Sequence, residues 1–250
     1  MFTLDWKSIS TWLAALLSLP LPLAAQAPSV ITMAEESHHH LALHNDYLNV
    51  YNAEAAPGDS LLLHRHIHDG VAIAIGDQTV TIGIPGKPDV HVKITDGQVR
   101  LQASGYVHST RNDSKSVYHT IAVELLLPQT GEHNLCAPVL AGKPLNCPGA
   151  AANASSAKHI DQPQFESNQT RVDFVRVLPH QKMDIAQTTA SHLIVALDPA
   201  SISHKAGKEP DHVLRPGDFM WFDGGNPEHV FQNHGDKEVR FIDLTFPRAR

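Results

Sequence analysis

The feature that most constrains this chain is an internal repeat. Displaced by 122 residues, VYNAEAAPGDSLLLHRHIHDGVAIAIGD (50–77) lies without a gap on VDFVRVLPHQKMDIAQTTASHLIVALDP (172–199), pairing Pro57 with Pro179 and VAIAI with LIVAL. A displacement of 120 or 121 lays DGQVRLQASGYVHSTRN on PGDFMWFDGGNPEHVFQN, pairing Gly97 with Gly217, His108 with His229 and Asn112 with Asn233. Self-similarity at one period means two tandem copies of one unit, each about 85 residues long. Such copies are expected to pack together, so that neither exposes a large sheet face.

The unit itself reads as all-β. From Leu41 to Pro128, short apolar or alternating runs such as YLNVYNAEA, SLLLHRHIH, VAIAIGD, QTVTIGI and QVRLQA are separated by Pro57-Gly58-Asp59, Thr95-Asp96-Gly97 and similar turns. That rhythm indicates an antiparallel sandwich or barrel, and no long amphipathic helix competes with it. The expected organisation is a signal peptide over 1–27, a flexible lead over 28–40 with the solvated triplet His38, His39 and His40, and a first barrel over 41–128. A linker rich in Pro, Ala, Ser and Asn follows over 129–163, then a second barrel over 164–250. In the signal, Lys7 precedes an apolar stretch and Ala25-Gln26-Ala27 supplies a small-residue cleavage site. The apolar stretch is short for a membrane span and carries Pro20 and Pro22, so no stable span is expected after cleavage. Export to a bacterial periplasm or the medium makes a disulfide between Cys136 and Cys147 the favoured reading, with a thiolate metal pair or free thiols as the alternatives.

A net charge of −7 without a Lys/Arg cluster argues against nucleic acid as a partner and leaves a small-molecule ligand or substrate; a homodimer is allowed. Histidine, at 18 residues, is the unusual count. His64 and His66 alternate in LLLHRHIH, so one strand would point both imidazoles the same way, which is half of a transition-metal site. His68 shares their parity, but it falls where the chain turns towards VAIAI. Solvent exposure is favoured for it over a role as fourth ligand or proton shuttle.

The run Gly58-x5-His64-x-His66, with Gly97-x5-Ala103-x-Gly105-x2-His108-x3-Asn112, resembles the two motifs of the cupin superfamily, G-x5-H-x-H-x3,4-E-x6-G and G-x5-P-x-G-x2-H-x3-N. The resemblance spans both repeats and implies a bicupin: two tandem antiparallel double-stranded β-helix, or jelly-roll, barrels. It implies His64, His66 and His108 as ligands of a divalent transition metal in the first barrel, with Fe, Zn, Ni, Cu or Mn as the candidates. Two positions depart from the pattern. Ala103 replaces a proline, and Gly70 stands where the motif has glutamate, with Asp69 just before it; a solvated turn carboxylate is favoured for Asp69 over a substitute ligand re-aimed by the turn. In the second copy Ala186 and Thr188 replace the paired histidines, His192 takes the glutamate position and His229 matches His108; a pocket with structural histidines is favoured there over a metal site.

Three neutral imidazoles leave the full charge on a divalent ion, making it a strong Lewis acid towards anionic chelating ligands. Cupins of this pattern include dioxygenases of thiols, diketones and aromatic hydroxy acids. The expected function is therefore a metal-dependent, dioxygenase-like enzyme on a small organic molecule. A non-catalytic periplasmic metal- or ligand-binding protein is the alternative. An isomerase would need a general base that the sequence does not locate.

Overall fold

A computed structural model describes residues 30–131, 133–134, 158–185, 189–204, 212–225 and 229–246. The signal region, Cys136, Cys147, Ala186 and Thr188 lie outside the described residues.

The repeat is realised strand for strand. In the first half one sheet runs His39–His44, Leu48–Ala55, Tyr118–Leu125, Asp69–Ala74, Val99–Gln102. Its counterpart in the second half runs His159–Glu166, Arg171–Val177, Val239–Phe246, Ser191–Ala196, Phe219–Phe222, with the short His133–Asn134 added at one edge. The facing sheet of the first half orders Ser60–Arg65, Val107–Asn112, Gln78–Gly83, Val90–Ile94, and the second half matches it with Lys182–Ile185, His229–Gln232, Ala200–His204, His212–Leu214. All of these pairs are antiparallel, and one parallel contact, from Ile31–Thr32 to Ser60–Arg65, extends the first half's second sheet. Each half is thus a two-sheet jelly roll with its own apolar filling: Ala53, Leu61, Ala74, Val80 and Ile82 in the first, Val175, Ile194, Ile202, Phe231 and Phe241 in the second. No helix among the described residues is long and apolar enough to cross a membrane.

A further core lies between the halves. Val50, Val71, Ile73, Ile121 and Val123 pack against Val172, Leu193, Val195, Ile242 and Leu244, and Tyr47, Trp221 and Phe246 meet ring to ring at 5.5–5.7 Å. This explains why VAIAI and LIVAL are continuous apolar runs: these strands are covered on both faces. Arg240 ties the halves together, donating to Asp96 at 2.8 Å and to Asp198 at 2.7 Å. The paired turn glycines serve the same junction. Gly97 (φ +74°) leaves no room for a Cβ beside Leu197 and Phe174, and Gly217 (φ +90°) leaves none beside His119.

The matched asparagines are structural in both halves. Asn112 donates to the carbonyls of Ala55 and Ser116, and Asn233 donates to those of Val177 and Lys237. Each also accepts from a turn amide two residues on, Ser114 or Gly235, so both amides are saturated by the fold.

Two segments differ from the sequence expectation. The lead is not merely solvated, because Ile31–Thr32 and His39–His44 are strands and His39 is buried. The second half begins at His159, inside the stretch read as linker, because edge pairing recruits the polar HIDQPQFE despite its weak apolar alternation. Pro163 is accommodated there at a register shift.

Candidate metal centre

Placement of the first-half histidines depends on a β-bulge. Leu61 pairs with Thr110 and His64 with His108, so Leu62 and Leu63 together oppose Ser109. In a regular strand Leu61 and His64, three apart, would face opposite sides. The extra residue resets the alternation, and both point inward: Leu61 into the apolar filling, His64 into the site, with Leu62 turned out to solvent. His66 follows just past the strand end, where its amide bonds the Tyr106 carbonyl and its carbonyl accepts from Gly105. Across the sheet, Tyr106, His108 and Thr110 alternate inward.

The result is a compact buried group. His64, His66 and His108 are 1%, 2% and 5% exposed, and one nitrogen of each lies within 4.8 Å of the others. The Nε2 atoms of His66 and His108 are 3.0 Å apart, while His64 Nε2 is buried without a hydrogen-bond partner. His64 Nδ1 donates to the Leu62 carbonyl at 2.8 Å, which fixes the tautomer and leaves Nε2 as a lone pair. Thr110 Oγ1, 3.3 Å from His108 Nδ1, can do the same for the third ring. Two nitrogens about 2.1 Å from one cation and about a right angle apart would lie about 3 Å from each other, so the group fits a transition metal. Burial pushes His64 down to about 4 and His66 to about 3, and His108 well below the usual imidazole range. The three rings are therefore neutral and metal-ready at physiological pH.

Among the described residues no carboxylate joins them. Asp69 Oδ1 accepts from the Ser104 amide at 2.8 Å and so fastens a turn. His68 sits half-buried in the bend before that strand, outside the cluster. At Gly70 a Cβ would lie 2.9 Å from the Val123 carbonyl oxygen, so the backbone of the neighbouring strand occupies the space a side chain would need. In the second half His192 bonds Asp243, and His229 packs edge-on against Phe222 at 4.8 Å. Neither belongs to a three-ligand group among the described residues.

Sequence reasoning missed the surroundings of the site. Glu36 is buried at the back of the bulge. Its carboxylate accepts from the Leu62 amide (3.1 Å), which the bulge has freed from the ladder, and from His38 and His39 Nδ1 (3.0 and 2.8 Å). Burial pushes Glu36 up, but the bonds from His39, His38 and the two amides outweigh it and hold the group at about 2. His39 in turn packs its ring 4.9 Å from His64. The triplet His38, His39 and His40 reads as a solvated lead, because nothing in the spacing of EESHHH encodes a partner 26 residues away. Glu36→Ala would strand the Leu62 amide and two imidazoles. We expect it to cost about 3 kcal/mol of stability in urea titration and roughly 10- to 100-fold in metal affinity.

Tyr106 stacks on His108 at 4.6 Å, and its hydroxyl is buried without a partner; burial raises its pKa, against a smaller lowering from Arg100. Arg100, 4% exposed on the inward face of Val99–Gln102, has a buried unpaired Nε, and its charge is felt at His108. Opposite, Glu124 accepts from Asn49 and Tyr51, and burial with that carboxylate pushes Tyr51 up to about 12.

No family model matches the chain, and no curated protein matches it. Solved structures do. AerE from Microcystis aeruginosa aligns over 85% of this chain and 99% of its own at 9% identity (TM-score 0.58). A variant of salicylate 1,2-dioxygenase from Pseudoaminobacter salicylatoxidans in complex with gentisate aligns over 87% of this chain and 76% of its own at 13% identity (TM-score 0.58). A putative glyoxylate induced protein from Pseudomonas aeruginosa aligns over 84% and 79% at 12% identity (TM-score 0.60). With the strand order, the repeat and the convergent histidines, these likenesses establish that the chain has the cupin fold, in two tandem jelly-roll units.

Proposed function

We propose that this protein is an exported metal-dependent cupin whose first half, through His64, His66 and His108, holds one divalent transition metal and processes a small anionic organic molecule with dioxygen. The observation that carries this reading is the meeting of three neutral imidazoles with Arg100, a buried residue whose guanidinium Nε has no hydrogen-bond partner. A buried donor without a partner is costly, so Arg100 suits an anion that arrives with the ligand. Tyr106, stacked on His108 with its hydroxyl unpaired, offers a further hydrogen bond to the same molecule. A bound ion would supply Lewis acidity and open positions for a chelating oxygen. An aromatic hydroxy acid, the class to which the gentisate bound by the salicylate dioxygenase belongs, has the matching carboxylate and hydroxyl.

The test is oxygen uptake by protein loaded anaerobically with Fe(II), offered gentisate, salicylate, a thiol and a β-diketone in turn. Consumption with one class is expected, and Arg100→Met should raise KM for an anionic substrate roughly 10- to 100-fold, the worth of one charge-assisted bond. The tight burial of all three rings favours a second reading, a protein that holds metal without turnover. Full metal content with no oxygen uptake on any class would select it.

A further inference from the structure

We propose that the second half carries a ligand site of its own, a cavity whose inner wall of Asp161, Asp173, Asp243 and His192 receives the ammonium group of a small organic amine. This inference stands apart from the metal reading of the first half.

The cavity has a volume of about 410 Å³ and lies within the second jelly roll, a size suited to a metabolite rather than to a bare ion. Its acidic residues come from neighbouring strands: Asp173 pairs with Asp243 in the ladder, and Asp161 lies on the strand alongside. Arg171 satisfies Asp173 from one side, at 2.7 and 3.0 Å. Asp243 holds His192 Nδ1 at 3.0 and 3.1 Å, with Thr245 Oγ1 at 3.4 Å. A carboxylate accepts, so Nδ1 carries the proton and Nε2 is left as a lone pair. His192 lines the cavity at 9% exposure, and that Nε2 has no hydrogen-bond partner. Beside Asp161 stands His159, whose Nε2 is 3.6 Å away, beyond a good hydrogen bond.

The inner wall therefore crowds negative charge, and its two acceptors without a donor in good hydrogen-bond range are the Asp161 carboxylate and His192 Nε2. Burial pushes Asp161 up, with Asp173 and Asp243 adding to it against the opposing pull of His159 and Arg171; burial raises Asp243 as well, though His192 opposes this. A bound ammonium would relieve that crowding and supply up to three N–H donors, one of them for His192 Nε2. A bare metal ion fits less well, because among the described residues only the first-half histidines bring three ligand atoms within reach of a single cation. At the mouth, Lys158 and Lys182 are exposed, where solvent and salt screen their charge.

Titration calorimetry with 1,4-diaminobutane, and with 1,4-butanediol as its uncharged match, tests the site on the full chain. We expect one diamine per chain, bound at least 10-fold more tightly than the diol. Asp161→Asn and His192→Gln, checked for native circular dichroism, should each weaken diamine binding 10-fold or more, and His108→Ala should leave it unchanged. Equal binding of diol and diamine, no binding of the diamine, or full binding by both variants would overturn the proposal. Loss with His108→Ala alone would place any amine site in the first half and overturn it too.

Discussion

Replacing His64, His66 or His108 by alanine, one at a time, is expected to strip the protein of its metal. The wild-type chain, purified without chelators, should carry close to one divalent ion, and each variant should fall to a small fraction of that. Removing a group that merely orients a ligand costs about 10- to 100-fold in affinity, and removing one of three ligands should exceed it. The geometry makes the three equivalent in this respect: His66 and His108 present nitrogens 3.0 Å apart and His64 closes the group with an unpaired Nε2. Elemental analysis of the four proteins decides the matter. Unchanged metal in all three variants would remove the assignment. His68→Ala and Asp69→Ala serve as controls, since neither residue reaches the group, and both should keep wild-type content.

The second large effect is acid sensitivity of the metal-free protein. In the unfolded chain each histidine protonates near pH 6.5, whereas in the fold burial holds His64 at about 4 and His66 at about 3, with His108 also well below 6.5. Between those limits the unfolded state binds more protons than the folded one. Stability is therefore fully present above pH 6.5 and is lost as pH falls towards 4. The gap for His64 alone corresponds to roughly 3 kcal/mol, at about 1.4 kcal/mol per pH unit. Glu36, held at about 2, adds a lower window in which its contribution disappears below about pH 4.5. Urea midpoints of chelator-treated protein at pH 7.5, 6 and 4.5 should fall steadily, and replacing the three histidines by leucine should flatten the upper part of that profile. A midpoint constant from pH 7.5 to 4.5 would contradict the burial argument. Metal should raise the midpoint most at neutral pH, since ligation and protonation compete for the same lone pairs.

How much of this was legible in the sequence differs from residue to residue. The repeat predicted the doubled strand order, and the pairing of Gly97 with Gly217 and of Asn112 with Asn233 reappears as matched roles in the two halves. His64, His66 and His108 were brought forward by motif spacing, and the fold brings them together. The parity argument behind them was incomplete, however. Leu61 and His64 both face inward only because of the bulge, and a bulge leaves no mark in hydrophobic periodicity. Glu36, His39, Tyr106 and Arg100 were invisible for a related reason. Each reads as an ordinary polar residue in its own segment and acquires meaning only from the strand across from it.

The core shared by the two halves has a consequence for how such a chain can change over generations. A copy whose outer sheet face is also its sister's interior cannot be deleted without exposing Val50, Val71, Ile73 and their neighbours to water, so truncation is penalised whatever the lost copy does chemically. Its inner cavity is under no such shared constraint. Duplication here joins the two units as architecture while leaving each free to drift in chemistry, and a histidine pair in one copy can stand beside Ala186 and Thr188 at the matching positions of the other.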